Sequence, residues 1–131
     1  MSKKILIIED YVNIVEILTM RLKSMGFEVI SASDGQAGLS LARREKPDLI
    51  ILDVMLPKMN GYKICRLLKF DAKYKHIPII MLTSRESHEH ETIGRSTGAD
   101  AYVYKSDRSG ELLKLVHQYL GQHTVPRLTA R

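Results

Sequence analysis

The chain alternates between short aliphatic runs and longer segments in which apolar residues recur at helical spacing. Residues 4–9 (KILIIE) form a continuous aliphatic run, which is typical of a strand buried on both faces. From Ile14 to Met25 apolar residues follow at helical spacing, and Gly26 ends that segment. The pair of patterns occurs five times. Strands that alternate with helices predict an α/β fold with a parallel sheet and helices on both faces.

The same patterns place the elements along the chain. Strands are expected at 4–9, 27–33, 49–52, 77–84 and 101–105. Helices are expected at 14–25, 34–46, 61–71, 87–96 and 112–120, the second with Ala37, Leu41 and Ala42 on one face and the last with an inward aliphatic stripe. The second strand is more polar than the others, which favours a place near the sheet edge. No internal repeat is present, so we expect one domain at 1–120 and a tail or linker start at 121–131.

Composition limits the compartment and the chemistry. A chain of 131 residues is long enough for one domain with a substantial core. Its longest apolar runs are too short to cross a membrane, and the apolar segment near the N-terminus is too short for a signal peptide. The single cysteine, Cys65, excludes an internal disulfide and is expected to be a small core residue. We therefore expect a cytoplasmic protein.

The net charge of +5 comes partly from one basic segment, which could in principle meet nucleic acid. No aromatic residues interleave with it in a stacking pattern, and no recognition motif accompanies it. A solvated helix face is therefore the favoured interpretation, and no direct contact with nucleic acid is expected. The segment contains Lys63, Arg66, Lys69, Lys73 and Lys75, against Asp71.

Polar residues stand at the carboxyl ends of the predicted strands. Ligands of open parallel sheets bind outside these ends, where the strand order reverses. In the flavodoxin-like order 2-1-3-4-5 the first and third strands are neighbours at that point, so the acids that follow them should converge. The residues concerned are Glu9, Asp10, Asp53, Thr83, Ser84 and Lys105.

Three converging carboxylates repel one another, which pushes one of them towards protonation unless a cation is bound. A hard cation with oxygen ligands resolves the repulsion, and Mg²⁺ is the first candidate, with Mn²⁺ as an alternative. Lys105 adds a fixed positive charge and Thr83 adds a hydroxyl donor. Such a pocket suits phosphoryl transfer, with the Asp53 carboxylate as the phosphate acceptor.

Four segments resemble the motifs of response-regulator receiver domains of two-component signalling, as in chemotaxis regulators. They are ILIIED, LDVMLPKMNGY, IIMLTS and GADAYVYK. Thr83 follows Asp53 by 30 positions and Lys105 follows Thr83 by 22, as in the family. Each motif alone is weak, but four in order form a specific signal. The match covers about residues 3–120.

The resemblance implies a role for each matching residue. Asp53 would accept a phosphoryl group from a histidine kinase or phosphotransfer protein. Asp10 and Asp53 would bind Mg²⁺ directly, Glu9 through water and Met55 through its backbone carbonyl.

The remaining roles implied by the resemblance concern the switch. Lys105 would pair with a phosphoryl oxygen. Thr83 would turn inward to another oxygen, aided by the backbone N–H of Ser84, and Tyr102 would swing inward after Thr83.

The resemblance also implies partners. The fourth helix, fifth strand and last helix would form an output face for a downstream protein or a fused effector domain. The resemblance is also compatible with a dimer that forms on phosphorylation. No membrane partner is implied. The chain would accept and lose the phosphoryl group slowly, as a switch rather than an enzyme.

The chain departs from the family pattern at three places. Ser106 follows Lys105 where proline is common, and we expect a cis bond there. Tyr11 stands where a third acid is common, with little expected effect. Met55 and Arg85 should border the path of the attacking water and alter the dephosphorylation rate.

Two other functions remain open on sequence grounds. An aspartyl-phosphate phosphohydrolase would need a second acid beside the nucleophile and a specificity loop, which the chain does not offer. An unphosphorylated interaction module would keep the fold, but the intact acids, Thr83 and Lys105 argue against it. The chain could also be part of a larger regulator.

Overall fold

A computed structural model describes residues 2–84, 96–105 and 110–121 of the chain. Five parallel strands form one sheet in the order β2-β1-β3-β4-β5, which confirms the predicted order. The strands are β1 (Lys4–Ile8), β2 (Glu28–Ala32), β3 (Leu49–Asp53), β4 (Ile79–Thr83) and β5 (Ala101–Tyr104). The helices in the described part are α1 (Val12–Ser24), α2 (Gly35–Glu45), α3 (Gly61–Lys69) and α4 (Glu111–Leu120). The helix predicted at 87–96 lies outside the described residues except for its last position.

Each face of the sheet supports its own apolar core, because successive side chains of a strand point to opposite faces. On one face Leu6, Ile50 and Met81 pack with residues of α2 and α3. On the other face Ile7 and Ile51 pack with residues of α1 and α4. The central strands β1, β3 and β4 are buried on both faces, as their continuous aliphatic runs predict, whereas β2 lies at an edge and is partly exposed.

The inward face of α2 differs from the predicted one. Gly38, Leu39 and Ala42 are buried, whereas Ala37 is exposed. A Cβ atom on Gly38 would lie 2.6 Å from a side-chain carbon of Ile8. The prediction was correct for Ala42, which is buried, and for Leu41, which packs against the same core, and it was wrong for Ala37. It missed Gly38 because it looked for aliphatic side chains, and glycine has none.

Lys69 does not belong to the solvated basic face proposed from sequence. Its ammonium group donates to the carbonyls of Lys75 and Ile77 at 2.8 and 3.0 Å and to Asp100 Oδ2 at 2.8 Å. Asp100 Oδ2 also accepts the backbone N–H of Ile79 at 2.8 Å. Lys69 therefore ties the end of α3 to the segment that leads into β4, and its side chain is only 11% exposed.

The last helix packs as predicted. Val116 is fully buried, and Leu112, Leu115, Tyr119 and Leu120 pack around it against the sheet. Helix α4 ends at Leu120, and Gly121, the last described residue, has a φ of 74°. In the part of the chain that the structure describes, no helix is both long and apolar enough to cross a bilayer.

Candidate functional site

The predicted polar residues meet at one edge of the sheet. Glu9 directly follows β1, Asp53 and Thr83 are the last residues of β3 and β4, and Lys105 directly follows β5. Asp53 pairs in register with Leu82, the residue before Thr83. Carboxylate oxygens of Glu9, Asp10 and Asp53 lie within 4.8 Å of one another. Parallel strands in this order place the three acids together without any further element.

The loop after Asp53 is held by two backbone hydrogen bonds and by one hydrogen bond of a side chain. The N–H of Val54 donates to the carbonyl of Leu82 at 3.1 Å, which continues the pairing of β3 with β4. The carbonyl of Pro57 accepts the N–H of Gly35 at 3.1 Å, so the loop also contacts the start of α2. Asn60 then caps α3, with its side chain accepting the N–H of Lys63 at 3.0 Å. These bonds hold the backbone next to the acceptor carboxylate.

Asp53 is buried between one anion and one cation. Its side chain is 2% exposed, and Oδ1 accepts the N–H of Met55 at 3.3 Å. The Lys105 ammonium lies 3.3 Å from Asp53 Oδ1 and 2.8 Å from Glu9 Oε1. Among the described residues Asp53 Oδ2 is buried and has no hydrogen-bond partner.

This arrangement opposes the ionisation of Asp53. Burial and then the negative charge of Glu9 raise the pKa of Asp53 to about 6, although Lys105 lowers it. Burial also lowers the pKa of Lys105, but the carboxylates of Glu9 and Asp53 outweigh it, so the pKa of Lys105 is raised. The positive charge of Lys105 alone therefore does not neutralise the negative charge of the carboxylates in this pocket.

The donor set fits a hard divalent cation. It consists of three carboxylates with mutually close oxygens, one of which, Asp53 Oδ2, is buried without a partner. Asp10 is exposed, so water can complete the coordination from the solvent side. Oxygen ligands with retained waters are what Mg²⁺ prefers.

Thr83 and Tyr102 are neighbours at the same edge. Thr83 is buried, and its hydroxyl hydrogen-bonds to that of Tyr102. The Tyr102 hydroxyl also lies 3.4 Å from the Tyr62 hydroxyl on α3, a long and therefore weak hydrogen bond. The half-buried ring of Tyr102 packs against the core beneath α2 and α3. Its hydroxyl thus contacts Thr83 in this structure, and the switching roles of the two residues stay predictions.

Tyr11 lies closer to the site than the sequence suggested. Its ring faces the Lys105 ammonium, which is 4.9 Å from the ring centre. Its backbone N–H donates to Glu9 Oε2 at 3.0 Å. The signal that could have found it is its position directly after the acid pair.

Two sequence hypotheses concern residues that the structure does not describe. Arg85 and Ser106 lie outside the described residues, so the effect of Arg85 and the cis bond stay predictions. Met55 is exposed at the rim of the site, and Ser84 is exposed directly after Thr83.

The sequence model of the response regulator receiver domain matches residues 5–117, which is most of the chain and includes every residue of the acidic site. This chain belongs to the response-regulator receiver family. Members of this family are signalling modules of two-component systems, and the fold and the family motifs read from the sequence are thereby confirmed.

Known receivers resemble the chain over most of its length. It is 44% identical over 105 residues to the alkaline phosphatase synthesis transcriptional regulatory protein PhoP of Bacillus subtilis. The aligned region covers 80% of this chain and 43% of PhoP. The chain spans about half the length of the curated relatives it matches.

Solved structures show the same fold with lower sequence identity. Chemotaxis protein CheY4 of Vibrio cholerae has a TM-score of 0.83 and 31% identity over 91% of this chain and 99% of its own. The receiver domain of sensor histidine kinase PA1611 of Pseudomonas aeruginosa has a TM-score of 0.83 and 26% identity over 92% and 99%. The latter structure has a magnesium ion coordinated in its active-site cleft.

Proposed function

We propose that Asp53 accepts a phosphoryl group from a phosphohistidine of a histidine kinase or phosphotransfer protein, and that this modification switches the receiver. An oxygen of Asp53 bonds to phosphorus, the P–N bond breaks, and the imidazole leaves with the bonding electrons. The product is an acyl phosphate, which water later hydrolyses. The observation that carries this role is the buried Asp53 carboxylate between Glu9 and Lys105.

Glu9, Asp10 and Asp53 are proposed to hold Mg²⁺, or Mn²⁺, together with the backbone carbonyl of Met55. When bound, the cation neutralises charge on the carboxylates and on the incoming phosphoryl oxygens. Lys105 is already at the acceptor carboxylate and would pair with a phosphoryl oxygen from there. Asp53 must be ionised to attack, and its pKa of about 6 leaves most of it ionised at neutral pH.

Thr83 and Tyr102 are proposed to transmit the change. A phosphoryl oxygen competes with Tyr102 for the hydroxyl of Thr83, and the backbone N–H of Ser84 is a second donor close by. When Thr83 turns to the phosphoryl group, Tyr102 loses that hydrogen bond and keeps only the weak contact with Tyr62. Tyr102 lies on β5, so its rearrangement changes the proposed output face formed by residues 87–96, β5 and α4.

The signal is proposed to pass from that face to a downstream protein or an attached effector domain. The curated relatives are about twice as long as this chain, and PhoP is named as a transcriptional regulator. A receiver that controls a DNA-binding partner or domain fits these relatives. We further propose that residues 121–131 begin a tail or linker after a receiver that ends at 120.

The phosphodonor protein is proposed to dock on α1. This helix starts beside the acid pair and carries three exposed apolar residues, Val12, Ile17 and Met20. A groove of about 270 Å³ lies between α1 and α4 and reaches Lys105. Replacing Ile17 and Met20 by serine should slow transfer from a phosphohistidine protein and leave the rate with acetyl phosphate unchanged. An equal loss with both donors would contradict docking at α1.

The test of the acceptor role is intact-protein mass after incubation with acetyl phosphate and Mg²⁺. We expect a gain of one phosphoryl group that requires Mg²⁺ and is absent in Asp53→Asn. Asp48→Asn is the matched control, because Asp48 lies before β3, at the opposite end of that strand. Beryllofluoride binding is measured in parallel, since it needs the pocket but no donor.

The outcomes separate the three candidate functions. Slow gain and slow loss of the phosphoryl group support the switch. Rapid turnover of small phosphoesters would favour a phosphohydrolase. Absence of both phosphorylation and beryllofluoride binding would leave an unphosphorylated interaction module.

A further inference from the structure

The outer surface of α3 combines exposed apolar and cationic side chains. Phe70, the residue that caps the helix, is 71% exposed, and Leu67 is 38% exposed. Lys63 and Arg66 are exposed one turn before them. We call these four residues the α3 surface. Among the described residues, the other large apolar side chains that are exposed lie on α1 or at the rim of the acidic site.

Helical spacing makes these four side chains neighbours. Lys63 and Leu67 are four positions apart, as are Arg66 and Phe70, and such pairs lie along one face. Lys63 and Arg66 are three apart, as are Leu67 and Phe70, so the two cations and the two apolar residues form adjacent pairs. Lys73 and Lys75 follow in the next turn of chain and are also exposed. The apolar pair therefore has two cations one turn before it on the helix and two more in the segment that follows.

The four cations of this surface and of the segment after it are exposed to solvent. In the ranges that the structure describes, no carboxylate forms an ion pair with Lys63, Arg66, Lys73 or Lys75. Lys69, on the inner side of the same helix, is the contrasting case, since its ammonium is held by three oxygens. An unpaired positive surface attracts anionic partners, and exposed apolar side chains gain free energy when a partner covers them.

We propose that the α3 surface docks an acidic segment of another protein that carries apolar side chains of its own. Interfaces of this kind have an apolar centre and a charged rim, with aromatic residues and arginine enriched at the contact. Carboxylates of the segment match Lys63, Arg66, Lys73 and Lys75, and its apolar side chains cover Leu67 and Phe70. The phosphates of a nucleic acid would pair with the cations but would leave Leu67 without an apolar partner. A nucleic acid therefore matches fewer features of this surface than an acidic, partly apolar segment does.

The position of the surface sets its relation to phosphorylation. The end of α3 that carries Leu67 and Phe70 contacts the segment before β4, whereas Asp53 lies at the other end of the strands. Docking is therefore expected to be independent of the state of Asp53. This docking goes beyond the proposed switch, and either of the two proposals can be correct when the other is wrong.

The test uses a phage library of random peptides about 16 residues long, enough for about four helical turns. The library is selected on the wild-type chain after subtraction on the double variant Leu67→Ser, Phe70→Ser. Enriched peptides are synthesised, and their dissociation constants are measured by fluorescence anisotropy. We expect enrichment of Asp, Glu and apolar residues together, and at least about tenfold weaker binding to the double variant.

Matched variants separate the contributions. Lys63→Gln with Arg66→Gln should weaken binding about three- to tenfold and reduce its salt dependence. Lys23→Gln with Arg43→Gln removes two exposed charges elsewhere and should change binding less than about twofold, as should Val12→Ser with Met20→Ser on α1. Asp53→Asn should bind like the wild type. All variants replace exposed residues apart from Asp53, and thermal unfolding checks their fold.

Several results would overturn the inference. They are enrichment of peptides without acidic residues, equal binding by the Leu67 and Phe70 double variant, and binding that is lost in the control variants. Tighter binding of a DNA duplex of about 20 base pairs than of any selected peptide, with the steep salt dependence of phosphate contacts, would assign the surface to nucleic acid instead.

Discussion

The ammonium nitrogen of Lys105 lies 4.9 Å from the centre of the Tyr11 ring, so an exposed aromatic side chain covers the cation of the acidic site. Tyr11 is itself 63% exposed, while the Lys105 side chain is 13% exposed. A cation above an aromatic face at an exposed site gains about 0.5–1 kcal/mol. Tyr11 thus adds to the carboxylates of Glu9 and Asp53 in holding the lysine at the acceptor.

Replacing Tyr11 by alanine should weaken beryllofluoride binding in the presence of Mg²⁺ about two- to fivefold, the factor that corresponds to that free energy. Tyr11→Phe keeps the aromatic face and is the matched control, with binding within about 1.5-fold of the wild type. Dissociation constants for the three proteins can be measured by NMR titration. If phenylalanine were as damaging as alanine, the hydroxyl rather than the ring would carry the effect.

Asp53→Asn should stabilise the metal-free protein at neutral pH. The pKa of Asp53 is raised from 3.8 to about 6 by burial and then by Glu9, so the folded state holds its proton more tightly than the unfolded state. As pH rises from about 4 to above 6, ionisation of Asp53 destabilises the folded protein by up to about 3 kcal/mol. The asparagine variant lacks this loss. Its free energy of unfolding, measured in urea, should exceed that of the wild type by about 1–3 kcal/mol at pH 7.5, and the difference should shrink towards pH 4.

Mg²⁺ is the control for this prediction. A bound cation relieves the repulsion, so saturating Mg²⁺ should stabilise the wild type more than Asp53→Asn and narrow the difference between them. A difference that does not depend on pH or on Mg²⁺ would show that the carboxylate charge is not its cause.

Gly61→Ala should impair the site through the backbone. A Cβ atom on Gly61 would overlap the carbonyl oxygen of Asp53, and the N–H of Gly61 donates to the carbonyl of Val54 at 2.9 Å. The loop has to shift to admit the methyl group, which moves the acceptor carboxylate. We expect the phosphorylation rate with acetyl phosphate to fall at least about tenfold, because small misplacements of reacting groups are costly.

The control is Gln36→Ala, an exposed helical position where the same residue is introduced without a clash. Its phosphorylation rate should match that of the wild type. A normal rate for Gly61→Ala as well would mean that the loop accommodates the methyl group without moving Asp53.

Lys69→Gln should destabilise the fold, whereas Lys63→Gln on the same helix should not. Loss of the Lys69 ammonium removes a donor from the carbonyls of Lys75 and Ile77 and the cationic partner of Asp100, whose Oδ2 keeps only the N–H of Ile79. Hydrogen bonds to charged groups contribute about 1.5–3 kcal/mol each, so a loss of about 2–4 kcal/mol is expected after partial compensation by water. The exposed Lys63 should change stability by less than about 0.5 kcal/mol. Urea unfolding of both variants measures the contrast, and equal values would contradict the assigned role of Lys69.

The sequence by itself determined the class of fold and the acids at the carboxyl ends of the strands, whereas the flavodoxin-like strand order was assumed and the structure confirmed it. Short continuous aliphatic runs that alternate with helical segments favour strands buried on both faces, and parallel strands bring their carboxyl ends to one edge. Glu9, Asp10 and Asp53 were therefore predictable as neighbours before any coordinates. The family motifs added the roles of these residues, which remain proposals for this chain.

Only the tertiary structure decided contacts between residues that are distant in sequence and carry no pattern. The inward face of α2 includes Gly38, which contributes no side chain to a hydrophobic pattern. Lys69 cannot be distinguished by sequence from the other lysines of the basic segment, although it forms an ion pair with Asp100. The pairing of Tyr11 with Lys105 depends on how the ends of β1 and β5 meet in space. Hydrophobic periodicity reports which side chains leave water, whereas a cation above a ring or a carbonyl beside an ammonium depends on three-dimensional distance alone.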